Sequence, residues 1–150
     1  MGERPLVHEY AKLSLISISI ATMFIVWHHF YVMGIKTLIF IPLFLVLPVI
    51  LLLWFRNTKS KIALTLYGLI CAWIVIGFGF LEGFLVNTLK IIGYYLLIPL
   101  QSVHGGNLPL PDLSFNIFFD GTGMFMFIAA IFVAYFGFRF LQEAVRHAEQ

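Results

Sequence analysis

Residues 13–35, LSLISISIATMFIVWHHFYVMGI, form an uninterrupted run without lysine, arginine, aspartate or glutamate. A helix needs about 20 mostly apolar residues to cross the hydrocarbon core of a bilayer. This run is long enough to do so, but it is too long for the apolar region of a signal peptide and lacks a small-residue cleavage pattern. We therefore expect it to remain in the protein as a membrane span.

The whole chain has the composition of a membrane protein. Of its 150 residues, 61% are hydrophobic and 11% are charged, whereas a soluble domain has about 45–50% apolar and about 25% charged residues. A soluble chain this short would have to expose much of that apolar surface to water. The net charge of +2, without a basic cluster, gives no indication of nucleic-acid binding. The expected surroundings are a lipid bilayer.

The apolar runs predict an all-α integral membrane protein in which residues 1–150 form a single domain of four transmembrane helices. The predicted spans are 13–35, 37–55, 62–85 and 116–138, and residues 86–99 are either a helical extension of the third span or an interfacial segment. Glycines and prolines in residues 100–114 predict a loop.

The placement of lysine and arginine predicts the orientation of these spans. Of the nine such residues, only Lys36 and Lys90 lie on the opposite side from the termini in a four-span arrangement. Because basic residues concentrate on the cytoplasmic side, both termini are expected in the cytoplasm. The loop at 100–114 is then expected to face outward.

Ionisable residues in three predicted spans lie at a similar depth. At about 1.5 Å per helical residue, His28 and His29 of the first span, Glu82 of the third and Asp120 of the fourth all fall toward the outer leaflet. Such residues are costly within a membrane and usually face a bundle interior or a cavity. We therefore expect these side chains to meet, with His104 of the outer loop above them.

Imidazoles and carboxylates together are typical ligands of copper, zinc and iron. We therefore predict a transition-metal site made of His28, His29, Glu82, Asp120 and His104, supported by Asn87, Lys90 and Asn116. Adjacent residues are about 100° apart around a helix, so only one of the two adjacent histidines is expected to face such a site. Haem is not expected, because the predicted spans offer histidines only on the first helix.

These residues also have structural explanations. Glu82 could form a salt bridge with Lys36 or Lys90. Asp120 suits the first turn of a helix, where an acid satisfies backbone N–H groups and favours the helix dipole. Asn87 and Lys90 suit the membrane interface, as do two histidines among aromatic residues.

Residues 27–34, WHHFYVMG, resemble the stretch with adjacent histidines that binds the catalytic copper in the main subunits of haem-copper oxidases. In that comparison His28 and His29 take the copper-ligand role. The likeness covers eight of 150 residues and needs a gap after Trp27, and the many helices and haem-ligating histidines of that family are missing here. It favours copper among the metals without placing the chain in the family.

Two functions are compatible with this sequence. The first is metal handling or redox support at an outward-facing site, with enzymatic activity left open. The second is a non-catalytic accessory subunit, or a homo-oligomer, within a larger membrane complex. Gly79 and Gly83 have the four-residue spacing that allows two helix backbones to approach closely, and 17 phenylalanines suit extensive helix packing.

Overall fold

The computed structural model describes the backbone of residues 5–103 and 116–148, and the side chains of residues 7–96 and 116–146. Within this part of the chain the structure is helical and forms four helical rods. The rods comprise α1 (Pro5–Met33) with a 3₁₀ segment (Gly34–Ile39); a π-helical segment (Pro42–Val46) with α2 (Leu47–Thr58); α3 (Lys61–Trp73), a π-helical segment (Ile74–Thr88) and α4 (Leu89–Val103); and α5 (Ile117–Ala148).

Three of the four rods are long and apolar enough to cross a membrane, namely Val7–Ile39, Lys61–Leu96 and Ile117–Arg146. The second rod, Pro42–Thr58, is shorter. Its two segments have 5 and 12 residues and are about 26 Å long at 1.5 Å per residue. The hydrocarbon core of a bilayer is about 30 Å thick. The chain is therefore a helical membrane protein with three candidate spans, and the fourth span stays a prediction.

The third rod is longer than its predicted span because the helix does not end near residue 85. Backbone angles at Trp73 and Leu89 are helical, so the helix runs on into α4 and continues to Val103. Residues 101–103 of the predicted outer loop therefore belong to a helix. The remainder of that loop, with His104, lies outside the described residues.

Two residues with positive φ, Gly34 and Lys59, mark helix ends before and after the second rod. Gly34 has a φ of +60°, a conformation that glycine adopts without steric cost, and it ends α1. Lys59 has a φ of 53° at the end of α2. Ser60 then caps α3, because its side-chain oxygen accepts a hydrogen bond from the Ala63 N–H.

Helix α5 is the centre of the bundle, since it packs along α1 on one side and along the π-helical segment Ile74–Thr88 on the other. The second of these contacts depends on glycine. A Cβ atom on Gly83 would lie 2.9 Å from both the Gly123 carbonyl oxygen and the Phe127 nitrogen, and one on Gly79 would collide with Ala130. The close approach predicted at Gly79 and Gly83 is confirmed, and the neighbour is α5 of the same chain.

The bundle has two chemically different ends. Lys12 of α1, Lys59 after α2 and Phe140 of α5 line one cleft, and we call this the basic end. His28 of α1 meets Glu82 of the third rod at the other end, which we call the histidine end. The orientation of these ends relative to the cytoplasm stays a prediction.

A leucine at Gly83 should destabilise the protein, because it would separate the third rod from α5. Overpacking of this kind costs about 1–3 kcal/mol or more. Unfolding can be followed with a thiol-reactive dye, since Cys71 is the chain's only cysteine and is buried. Gly93→Leu is the matched control, because a Cβ at Gly93 meets no atom within 4 Å. Equal melting temperatures for the two variants would contradict the described contact.

Candidate functional site

His28 is fully buried between α1 and the first turns of α5. Its Nδ1 atom lies 3.1 Å from the Phe119 carbonyl oxygen and 3.1 Å from the Thr122 hydroxyl, and its ring stacks on that of Phe119 with centroids 4.0 Å apart. The Thr122 hydroxyl itself has backbone acceptors at 2.8 Å and 3.0 Å. A carbonyl oxygen can only accept a hydrogen bond, so Nδ1 of His28 carries a proton.

His29 is held in the same way by a different partner. Its Nδ1 atom lies 2.9 Å from the Ile25 carbonyl oxygen, one turn earlier in α1, and therefore also carries a proton. Edge-on contacts with Phe40 and Phe78 enclose the ring. Both imidazoles thus use Nδ1 for a backbone contact and leave Nε2 for other partners.

The carboxylate of Glu82 lies beside the Nε2 atoms of both histidines. Nε2 of His28 lies 3.5 Å from one carboxylate oxygen, and Nε2 of His29 lies 3.2 Å from the other. The expectation that only one of the two histidines could face the site is therefore wrong. Although their backbones are about 100° apart around the helix, a carboxylate with two oxygens lets both rings reach the same side chain.

The π-helical segment Ile74–Thr88 positions Glu82. In this segment the Asn87 side chain donates a 2.7 Å hydrogen bond to the Glu82 carbonyl oxygen, and Thr88 donates one of 2.8 Å to the Gly83 carbonyl oxygen. Each of these bonds joins residues that are five apart, which is the spacing of one π-helical turn. The Asn87 and Thr88 side chains thus donate to backbone carbonyl groups one turn earlier in the segment.

The electrostatics of this His–Glu–His cluster favour a cation. With Nδ1 protonated, a neutral imidazole presents its Nε2 lone pair to a partner, and here the partner is a carboxylate. Nε2 of His28 is buried, with no hydrogen-bond partner among the described residues. A proton or a metal ion would relieve the repulsion between the lone pairs and the carboxylate.

The arrangement also differs from a preformed metal site. Among the residues that the structure describes, no three histidine, cysteine, aspartate or glutamate side chains are already arranged around one point as the ligands of a metal ion would be. The two Nε2 atoms contact different oxygens of Glu82. Metal ligation by the predicted residues stays a prediction.

Asp120 lies at the same end of the bundle but has different partners. Its two carboxylate oxygens accept hydrogen bonds from the Lys90 Nζ atom at 3.1 Å and 3.2 Å. One of them also accepts a 2.8 Å hydrogen bond from the backbone N–H of Asn116. The Asp120 side chain is 1% exposed and that of Lys90 is 28% exposed. In the described part of the chain, Lys90 therefore pairs with Asp120, whereas the sequence placed it beside Glu82 or at the interface.

Asn116 defines the start of α5. Its side-chain oxygen accepts hydrogen bonds from the backbone N–H groups of Phe118 and Phe119, which is how a helix N-cap satisfies unpaired donors. Its amide group donates to the Tyr31 hydroxyl at 3.1 Å, so it also ties α5 to α1. Asp120 is an acid of the first turn, as expected, but the cap is Asn116.

Asn87 is fully buried against α5 instead of facing the interface. Gly123 provides the space for it, because a Cβ atom on Gly123 would collide with the Asn87 side chain. Its oxygen has no hydrogen-bond partner in the described part of the chain. Asn87 therefore supports the site by holding the Glu82 carbonyl.

Sequence reasoning did not identify Thr122 and Phe119, which contact His28. The only signal for Thr122 was a polar residue two positions after Asp120 in an otherwise apolar helix. Phe119 acts through its backbone oxygen and its ring, which no pattern of residue types distinguishes from ordinary core packing.

No family model, curated protein or solved structure matches the chain.

The Lys90–Asp120 pair should contribute to stability in a non-additive way. Lys90→Met leaves a buried carboxylate without its cation and should lower the free energy of unfolding by about 1–3 kcal/mol, less than a fully buried pair because Lys90 is partly exposed. In the Lys90→Met/Asp120→Asn double variant the loss should be smaller than the sum of the two single losses. Additive losses, measured with the Cys71 dye assay, would contradict the pairing.

Proposed function

We propose that this membrane protein binds a transition-metal ion, copper, zinc or iron, through His28, His29 and Glu82. The observation that carries the proposal is the shared orientation of the two imidazoles. Each Nδ1 contacts a backbone carbonyl and each Nε2 faces the same carboxylate. Metal-ligating histidines almost always donate their other N–H to a carbonyl or a carboxylate in this way.

The distances in the cluster are compatible with this proposal. Two ligand atoms at about 2.0–2.1 Å from a tetrahedral zinc ion lie about 3.3 Å from each other. The Nε2–oxygen distances of 3.5 Å and 3.2 Å are close to that value. For three donors to surround one ion, a Glu82 oxygen would have to turn between the two rings. The Glu82 side chain is 31% exposed, which leaves space for this rotation and for access.

Three protein ligands leave a fourth coordination position open, as in catalytic zinc sites. A site of this type can pass a metal on or support redox chemistry when the metal is copper or iron. Asp120 is not needed as a ligand, because Lys90 already compensates its charge.

The proposed topology places both termini in the cytoplasm and the histidine end toward the outer face. Pro42–Thr58 is then a fourth membrane span, shorter than the other three. Support comes from the distribution of positive charge, since Lys12, Arg56 and Lys59 line the opposite end of the bundle. Basic residues concentrate on the cytoplasmic side of membrane proteins.

A second candidate function is that of an accessory subunit, or of one chain in a homo-oligomer. It is favoured by α4, whose described part packs mainly against the helix that it continues. Ile92, Tyr95 and Leu96 of this helix are exposed. In this case a partner membrane protein or a second copy covers α4, and the His–Glu–His cluster holds a proton instead of a metal.

Metal content tests the proposal directly. The full chain, purified with a tag that contains no histidine, is stripped with a chelator, reloaded with Zn²⁺, Cu²⁺ or Fe²⁺ and measured by mass spectrometry. We expect stoichiometric binding of at least one of these metals, because neutral imidazoles and a carboxylate converge. Binding should weaken in acid, where protons compete for the imidazoles.

Two variants serve as comparison and control in this experiment. His28→Ala/His29→Ala removes both imidazoles and should abolish the bound metal. His8→Ala removes a histidine at the basic end and should leave metal content unchanged. Absence of metal from the wild-type protein, or equal metal content in the double variant, would contradict the proposal and favour the accessory-subunit alternative.

A further inference from the structure

An elongated apolar cleft lies between α1 and α2 at the basic end. Its volume is about 630 Å³, within the range of about 300–1,000 Å³ that is typical of ligand pockets. Leu15 and Ile16 of α1, with Leu52 and Leu53 of α2, form its walls, and Phe140 of α5 also lines it.

The cleft exists because two neighbouring rods diverge. The second rod packs against α1 along its first segment, Pro42–Val46, but its later part, α2, packs chiefly against α3. The space between α1 and α2 is therefore left open toward the basic end.

A second groove continues the cleft along the same face of α1. It measures about 420 Å³, is lined by Met23, Phe30 and Ile41 among others, and shares Ser19 with the first cleft. The distance along α1 from Lys12 to Phe30 is about 27 Å at 1.5 Å per residue. Together the two cavities form a long, largely apolar path that starts beside Lys12, Arg56 and Lys59.

Basic side chains line one end of this path. Lys12, Arg56 and Lys59 line it, together with His8, and no acidic residue is among the described residues that line the cleft. Lys12 and His8 are one helical turn apart on α1, so they share a face. Basic pockets between transmembrane helices are typical binding sites for anionic lipid headgroups.

We infer that this cleft binds an anionic phospholipid from the leaflet at the basic end. The phosphate group lies beside Lys12, Arg56 and Lys59, and one acyl chain follows the apolar path past Ser19. The positive mouth distinguishes an anionic from a neutral phospholipid, because both have the same apolar tails. This inference does not depend on the proposed metal site, which lies at the opposite end of the bundle.

Native mass spectrometry of the full chain in a neutral detergent tests this inference. Phosphatidylglycerol and phosphatidylcholine with identical acyl chains are added at equal concentration, and the lipid retained by each protein is counted. The wild-type protein should retain phosphatidylglycerol about tenfold more than phosphatidylcholine, since each nearby cation adds to the attraction. Equal retention of the two lipids would overturn the inference.

Three variants separate the headgroup contact from the apolar path. Lys12→Gln/Arg56→Gln removes two of the three cations and should strongly reduce the preference for phosphatidylglycerol. Ser19→Trp, at the junction of the two cavities, should reduce retention of phosphatidylglycerol by blocking the tail. Lys36→Gln/Lys61→Gln removes the same charge at exposed positions and should keep the preference.

The controls decide the remaining outcomes. An equal loss of preference in Lys36→Gln/Lys61→Gln would show that only net charge matters and would overturn the inference. A lipid-free dimer of the wild-type protein that Ser19→Trp dissociates would assign the cleft to a second copy of the chain and would also overturn it. The Cys71 dye assay confirms that each variant is folded, and unchanged metal content separates this result from a failure of the proposed metal site.

Discussion

A carboxylate within a membrane bundle needs a compensating cation or proton, and this constraint organises the histidine end of the molecule. Two carboxylates lie there and they are compensated differently. Asp120 is paired with the fixed charge of Lys90. Glu82 faces two imidazoles, whose charge depends on protons or on a bound cation. Asp120 is therefore compensated by a fixed charge of the protein, whereas Glu82 can be compensated by a proton or by a bound cation.

The geometry of the His–Glu–His cluster depends on close helix packing directly beside it. Helix α5 supplies the carbonyl oxygen that holds His28, while Glu82 belongs to the rod on the other side of α5. These two elements approach closely only because Gly83 lies against the Gly123 and Phe127 backbone. Glycines next to Glu82 and Thr122 therefore help to set the distances between the polar residues of the cluster.

Much of the fold could be predicted because the bilayer imposes a simple requirement on sequence. Long apolar runs indicated helices, and the glycine spacing indicated a close helix contact that the structure confirms. The second rod illustrates the limit of this reasoning. Its apolar run looked sufficient for a span, but the turn at Gly34 and the 3₁₀ segment Gly34–Ile39 use residues that the prediction had assigned to the first two spans.

The candidate site could be predicted only in part. A common depth along the helices brought His28, His29 and Glu82 into one expected cluster, and the structure places these three side chains in contact. The partners of Lys90 could not be predicted, because helical rotation decides between Glu82 and Asp120. The π-helical turns around Glu82 could not be predicted either, because an almost uniformly apolar segment has no alternation of polar and apolar residues that would indicate the helix type.

The central claim is that both adjacent histidines keep a proton on Nδ1 and present Nε2 to Glu82. Nitrogen-15 NMR of histidine-labelled protein in bilayers measures this directly, with signals of the five histidines assigned by single His→Gln variants. We expect the proton on Nδ1 of His28 and of His29 to stay in place when metal is added, because each Nδ1 contacts a backbone carbonyl oxygen, and only the Nε2 signals to shift. A neutral imidazole with its proton on Nε2, at either position, would contradict it.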